Sequence, residues 1–369
     1  MNQSESSLHG PHLIQLLTNA GLMATIVYVP LLARSLGGNS SQIGLLVAAY
    51  QAAVLVSSVV FGRWADYGDR KGFVVWGIAV SVLALAAHVF ARNLGGLLLA
   101  RVFAGICVGS FPAALMAYTS DRTNLLGRFV GFGALGWGIG AFTLGMIPPS
   151  LVFPVAAGVM LLTAFVAMVT LKTQHVRLAQ PFVDARVLRR NWRLYLSFFL
   201  RHAGAFSIWT IFPVYLSDLG ASRLLVGVVF AINPFGQFVF LNLLERARER
   251  PMVIWGFVLS ALVFAAFGLA RTWQQVVPIQ VLLALSWSCL YLGSLKELMR
   301  LNPEKSTAAG MFQSAASLAA VVGALLEAVT GAFGYRTVMF VAAGMAVAGG
   351  LLYTAQPGST RGAAAEMGA

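Results

Sequence analysis

Apolar runs of roughly 20 residues recur along the chain, separated by short polar turns. Coiled as α-helices, runs of this length match the hydrocarbon core of a bilayer. They lack the two-residue alternation that a membrane barrel strand needs. The pattern predicts about twelve spans, centred near Met23, Leu55, Val82, Val108, Gly138, Leu162, Ile208, Phe235, Ala261, Leu285, Val321 and Val341. Most connections are turns rich in Gly, Pro, Asn or Ser, such as "SLGGNSSQ" and "IPPS". One connection, Lys172 to Trp192, is long. It predicts a six-span unit over 1–171, a central loop over 172–191 and a second six-span unit over 192–354. The tail, 355–369, is small and polar and is expected to be disordered. No basic stretch precedes the first apolar run, so no cleaved signal peptide is expected.

Composition agrees with a membrane reading. The chain is 59% hydrophobic and 10% charged, where a soluble domain carries about 25% charged residues. Of the 25 Lys and Arg, 18 fall in the loops after even-numbered spans and the tail, and 5 in the loops after odd-numbered spans. Positive charge marks the cytoplasmic side, so both termini and the central loop are expected there, in a multi-pass protein of the cell membrane. The net charge of +13 then needs no nucleic-acid partner; it suits an anionic inner leaflet. Cys107 and Cys289 lie in separate spans and read as small apolar residues. The five His show no metal-ligand spacing, and no Gly-rich turn ends in Lys-Ser/Thr. Neither an enzyme site, a cofactor nor ATP-driven transport is expected.

The turn "GRWADYGDRKG" crowds five charges between two apolar spans. Arg63, Arg70 and Lys71 could serve topology alone, but Asp66 and Asp69 would add little to it. The turn also recurs. A shift of 179 positions lays Asp66 on Glu245, Lys71 on Arg250, Trp76 on Trp255 and Gly77 on Gly256. A shift of 183 lays "SLGGNSSQIG" on "DLGASRLLVG". Repeated halves with a substrate site between them are a known transporter design.

This turn resembles the signature of the major facilitator superfamily: Gly, three residues, Asp, two residues, Gly, then Arg and Arg or Lys. Here it reads Gly62, Asp66, Asp69, Arg70, Lys71, with Asp69 in place of the second Gly. Span four, with Arg101, Gly105 and Gly109, is similar to the family's Arg-then-Gly pattern. Span five, with Gly136, Gly140 and Gly145, resembles its antiporter motif, with Ala141 where that motif carries Pro. Close packing of small residues accounts for these glycines equally well. The stretch "FLRHAGAFSIWTIFPVYLSDLGAS" resembles prokaryotic drug-efflux-like members. The resemblance implies an all-α membrane protein of about twelve helices in two pseudo-symmetric six-helix bundles. It also implies that Asp66 meets the N-terminus of span eleven, near Ser306 to Gly310, when the cytoplasmic gate is shut. Such a contact would be worth about 0.3–1 kcal/mol, or about 2 when partly buried. Gly62, Asp66, Arg70, Lys71, Glu245 and Arg250 are thus the expected gating residues.

Polar side chains within spans usually face the protein interior. Gln15 and Asn19 share a face of span one, and the 183 shift lays Asn19 on His202. The candidate cavity residues are Asn19, Arg201, His202, Trp209, Asn233, Gln237 and Gln313. Each has a plainer role: Arg201 could snorkel, His202 could pack, and the amides could join helices. Glu327 is the acid well inside a span, a proton-coupling candidate or an ordinary residue near the surface, with Arg101 a conceivable gate partner. The expected function is alternating-access transport of a small molecule, foremost proton-coupled export of small organic or amphipathic compounds, by a monomer. Uptake or facilitated diffusion of a polar or anionic solute is the alternative, with Arg201 as charge partner. A non-transporting membrane sensor is the third.

Overall fold

With no water in a bilayer core, each backbone N–H and C=O must be satisfied within the chain, and this chain does so with helices. The computed structural model describes residues 3–65, 68–120, 126–175, 185–302 and 305–355. Along them run α1 (Gln3–Ser35), α2 (Ser40–Ala65), α3 (Arg70–Ala87), α4 (Leu94–Gly109), α5 (Pro112–Ser120), α6 (Leu126–Leu144) and α7 (Val152–Thr170). After the central loop come α8 (Ala185–Asp218), α9 (Arg223–Leu243), α10 (Glu249–Leu269), α11 (Trp273–Leu301), α12 (Lys305–Thr330) and α13 (Tyr335–Thr354). Helices α4 and α5 are two parts of one apolar span, Leu94–Thr119. The break falls at Ser110 and Phe111, ahead of Pro112, which has no N–H to continue the ladder.

Ten stretches among the described residues are long and apolar enough to cross a membrane, fewer than the twelve expected. The other two expected spans fall on α6, whose apolar stretch Phe129–Leu144 is short, and on α8. That helix opens with Arg186, Arg189, Arg190 and Arg193 and carries Arg201 and His202 at its middle. Large apolar side chains such as Phe90, Trp76, Leu99, Leu161, Leu243 and Leu269 stand exposed. In lipid they need no cover.

Local structure repeats between the first helices and α8 onward. Gly37 and Gly220, 183 positions apart, both hold a left-handed backbone, φ +84° and +85°. Each closes its helix with the same pair of bonds. Gly38 N–H donates to Ala33 O at 2.9 Å and Ala221 N–H to Leu216 O at 3.0 Å; Gly37 and Gly220 donate to Arg34 O and Ser217 O, both at 3.0 Å. Asn39 and Ser222 then cap the next helix. The 179 shift recurs as well. A side chain on Gly77 would strike Phe111, and one on Gly256 would strike Leu290. Ser81 and Ser260 donate to the carbonyls of those glycines at 2.7 Å.

The core forks. At the end where α1 begins and α13 finishes, one apolar cluster, including Ile14, Ile78, Phe111 and Met160, is built, among the described residues, from the α1–α7 set alone. Another, including Val187, Phe198, Phe257 and Phe312, is built from α8 to α13 alone. Toward the far end the two sets merge. Met23, Val27, Ala141 and Val152 share one cluster with Ile208, Phe212 and Phe230. Ala33, Ile43 and Leu97 share another with Val214.

Replacing Gly37 or Gly220 by Ala should each cost about 1–2 kcal/mol, because an L side chain is strained at positive φ. Gly158, mid-helix with open space around it, should gain up to about 1 kcal/mol as Ala. Thermal melts of the three variants in detergent check the contrast.

Candidate functional site

The charged turn after α2 is organised by Asp69. Its carboxylate caps α3, accepting from Lys71 N–H and Gly72 N–H, each at 3.1 Å. The same carboxylate accepts from Gln174 N–H at 3.0 Å. Arg70, buried at the start of α3, donates its backbone N–H to Gln174 O at 3.1 Å. Lys172 N–H donates to Tyr118 Oη at 2.9 Å. The first residues of the central loop are therefore strapped to the α3–α5 side. The family signature has Gly where Asp69 stands, and an Asp directly before a helix start is the sequence signal for this cap. Asp66 lies outside the described residues; Gly62 lies within α2 and Lys71 is half-buried on α3.

In the repeated turn, Glu245 is exposed and contributes its backbone carbonyl rather than its carboxylate. Lys296 Nζ donates to Glu245 O at 2.8 Å and to Ala247 O at 2.6 Å. Arg250 is exposed on the first turn of α10, whose first residue, Glu249, pairs with Arg300.

The middle of the molecule brings α1 against α6 and α6 against α9. Gln15 and Asn19 lie against Gly133, and Asn19 also lies against Gly136. Across the next seam, Gly138 faces the ring of Phe235. Asn233 is buried and accepts from Gln237 one turn on, so these two amides satisfy each other along α9. Gln313 is exposed on α12.

Arg201 and His202 stand at the middle of α8. Arg201 is 2% exposed. Its Nε–H donates to Ser260 Oγ at 2.7 Å, and its guanidinium carbon sits 5.1 Å from the Phe264 ring centre and 5.3 Å from that of Trp287. His202 stacks on Trp287 and Phe198, with centroids 5.0 and 5.1 Å away. Trp287 stacks in turn on Tyr291. Trp209 packs on Phe212 and Phe230, one to two turns further along. Sequence reasoning passed over Trp287 and Tyr291; their four-residue spacing, which places both on one helix face, was the available signal.

At the far end the two helix sets touch directly. Arg34 donates to Asp218 at 2.8 Å, and Tyr335 Oη donates to the same oxygen at 2.5 Å. Glu327 is fully buried on α12, its carboxylate between Gly44 of α2 and Gly331. Neither of its oxygens has a hydrogen-bond partner. Arg101 lies elsewhere, its guanidinium 3.6 Å from the centre of the Tyr50 ring. The two do not pair, because Tyr50 on α2 holds the cation within its own helix set. Gly105 and Gly109 of α4 lie against the backbone of α2 at Tyr50 and Val54, the close packing that small residues permit.

The far-end seam is backbone on backbone. A side chain on Gly227 would stand 2.5 Å from Ala141 O, and one on Gly145 2.5 Å from Leu224 Cα. Nearer the start of α1, a side chain on Gly131 would meet, among the described residues, the Phe238 ring of α9 at 3.8 Å, and one on Gly310 of α12 would stand in open space.

The family model described as Major Facilitator Superfamily matches residues 12–195 and 194–368. The multi-drug resistance efflux pump PmrA of Streptococcus pneumoniae is 23% identical over 88% of this chain and 89% of its own. Multidrug resistance protein 2 of Bacillus subtilis is 26% identical, over 34% of this chain; the chain spans 31% of that relative's length. Among solved structures, a bacterial homolog of the human lysosomal transporter Spinster, inward-facing and unoccupied, matches with a TM-score of 0.76 at 14% identity, over 96% of this chain and 97% of that one. The nucleoside transporter NupG matches with a TM-score of 0.76 at 12% identity, over 96% and 99%.

Asp69→Ala should remove the α3 cap, at a cost of about 1 kcal/mol, and free the strap. Amide exchange at residues 172–175 should accelerate in this variant and less so in Asp69→Asn, which keeps one acceptor oxygen. Unchanged exchange in both would show that the strap is held by other contacts.

Proposed function

The chain belongs to the Major Facilitator Superfamily, and we propose that it is an alternating-access secondary transporter that exports small organic or amphipathic compounds in exchange for protons. The forked core carries this reading. Two helix sets that share apolar contacts at one end and keep separate cores at the other can rock about the shared end, and the unshared end is then the mouth. In this proposal α4–α5 count as one span and α6 and α8 complete twelve, in two bundles of six. Both termini and the mouth face the cytoplasm of a cell membrane, as the Lys and Arg distribution supports.

Glu327 is the coupling group in this scheme. It lies in the far-end seam, where a carboxyl touches α2 only while the seam is shut. A charged carboxylate without a partner is costly there, so loss of its proton favours separation and binding of a proton favours closure. The proposed path of the cargo runs past Asn19, Gln237, Gln313 and Trp209. Asp66, Arg70 and Lys71 close the mouth in the opposite state, with Glu245 and Arg250 as the repeat's counterpart. The relatives described as multidrug efflux proteins favour export over uptake.

Two variants test this in liposomes holding purified protein and a solute panel. Glu327→Gln should abolish accumulation driven by an imposed pH gradient and spare cargo counterflow; unchanged pH-driven accumulation would remove Glu327 from the scheme. Gly145→Val places a side chain where Leu224 Cα must lie, so it should lower counterflow at least tenfold by preventing far-end closure. Full counterflow in that variant would mean that the closed seam is not on the transport cycle.

A further inference from the structure

We infer that Arg201 is the binding group for an organic anion, and that the cargo is an amphipathic molecule bearing a carboxylate, sulfonate or phosphate monoester. Arg201 does not snorkel: it is 2% exposed, at the middle of a 34-residue helix. One of its donors is used, Nε–H to Ser260. Ser260 is itself tied to Ser286, at 2.7 Å, and to Gly256 O, so that hydroxyl is a fixed point of the α10–α11 contact. The outer nitrogen Nη2 is buried and has no partner. Among the described residues no carboxylate forms an ion pair with this guanidinium. Beside it, Nδ1 of His202 is also buried and unpartnered.

A buried cation with no counter-ion is costly, and a central Arg is costly in a membrane span. The faces of Phe264 and Trp287 offset part of this. The Nη2 donor and the net charge remain unanswered by the protein. The contrast with Arg101 is informative. That guanidinium lies directly on a tyrosine ring at 3.6 Å, whereas Arg201 stands more than 5 Å from each of its rings.

A guanidinium presents paired N–H donors that match carboxylate, sulfonate or phosphate oxygens. The rest of the ligand follows from the neighbours. Trp287, Tyr291 and Phe206 are half-buried around His202, and they offer aromatic surface for an apolar body one to two turns from the charge. An acid group on a flat or aromatic body satisfies both. This deepens the transport reading and rests on it for the word cargo; the binding site does not depend on transport.

The test is equilibrium binding to the full chain in nanodiscs, without any gradient, using three probes of one shape: 1-naphthalenesulfonate, 1-naphthol and 1-naphthyltrimethylammonium. The sulfonate should bind at least tenfold tighter than the naphthol, and the ammonium weakest. Arg201→Gln should remove that preference while leaving naphthol affinity within about threefold, and Arg201→Lys should keep part of it. The wild-type comparison needs no variant and stands even if the Gln form fails to fold. Equal binding of sulfonate and naphthol, or tightest binding of the ammonium, overturns the proposal. A preference that survives in Arg201→Gln overturns it too, by placing the anion elsewhere. Liposome counterflow separates this from the transport reading. A sulfonate that binds with preference but is never moved leaves the site standing and removes its role in transport. Solutes that are moved without any anion preference in binding leave transport standing and remove the site.

Discussion

The far-end approach of backbone to backbone is the contact on which the rest depends. At Gly227 and Gly145 backbone of one helix set meets backbone of the other, and at Gly44 the backbone of α2 meets Ala328 and the Glu327 carboxylate. Dispersion contacts at that distance are numerous and insensitive to salt. They need no polar partner, which matters in lipid, where a directional bond left unmade is costly. The exposed Arg34–Asp218 pair beside them adds little by comparison, since such pairs are worth about 0–1 kcal/mol.

Much of the fold was legible in the sequence, and particular residues show why. The Gly-Gly-Asn of the first turn and the Gly-Ala-Ser of its counterpart share few letters, yet they demand the same left-handed backbone and the same cap, so turn chemistry exposed the repeat. Span counting was less secure. Helix α8 carries Arg201 and His202 at its centre and a basic start, so its hydropathy understates it. Helix α6 is thinned by glycines chosen for contact rather than for lipid. The mid-helix Arg201 could be flagged from its type alone. Its neighbours could not, because Trp287 and Ser260 lie 86 and 59 positions away along the chain and only tertiary packing brings them to it.

Four of the buried charged groups, Arg101, Arg201, Glu297 and Glu327, differ in how they are held. Arg101 is laid on an aromatic face within its own helix set. Glu297 is hydrogen-bonded by Tyr353, joining α11 to α13. Arg201 and Glu327 are each left with unpartnered atoms. Arg101 too keeps a buried Nε without a hydrogen-bond partner, but its charge rests on the Tyr50 ring, and the Glu297 carboxylate has the Tyr353 hydroxyl. Arg201 and Glu327 are the groups to which the functional proposals attach, the first with a ligand and the second with a proton.

The strap at Asp69 has a mechanical consequence. By fastening residues 172–175 to the first helix set, it shortens the covalent leash between the two sets to the stretch from His175 to Ala185. Fully stretched, ten such links reach about 35 Å. However the sets swing, the start of α8 stays inside that radius of His175, and a longer loop on paper confers no wider gape.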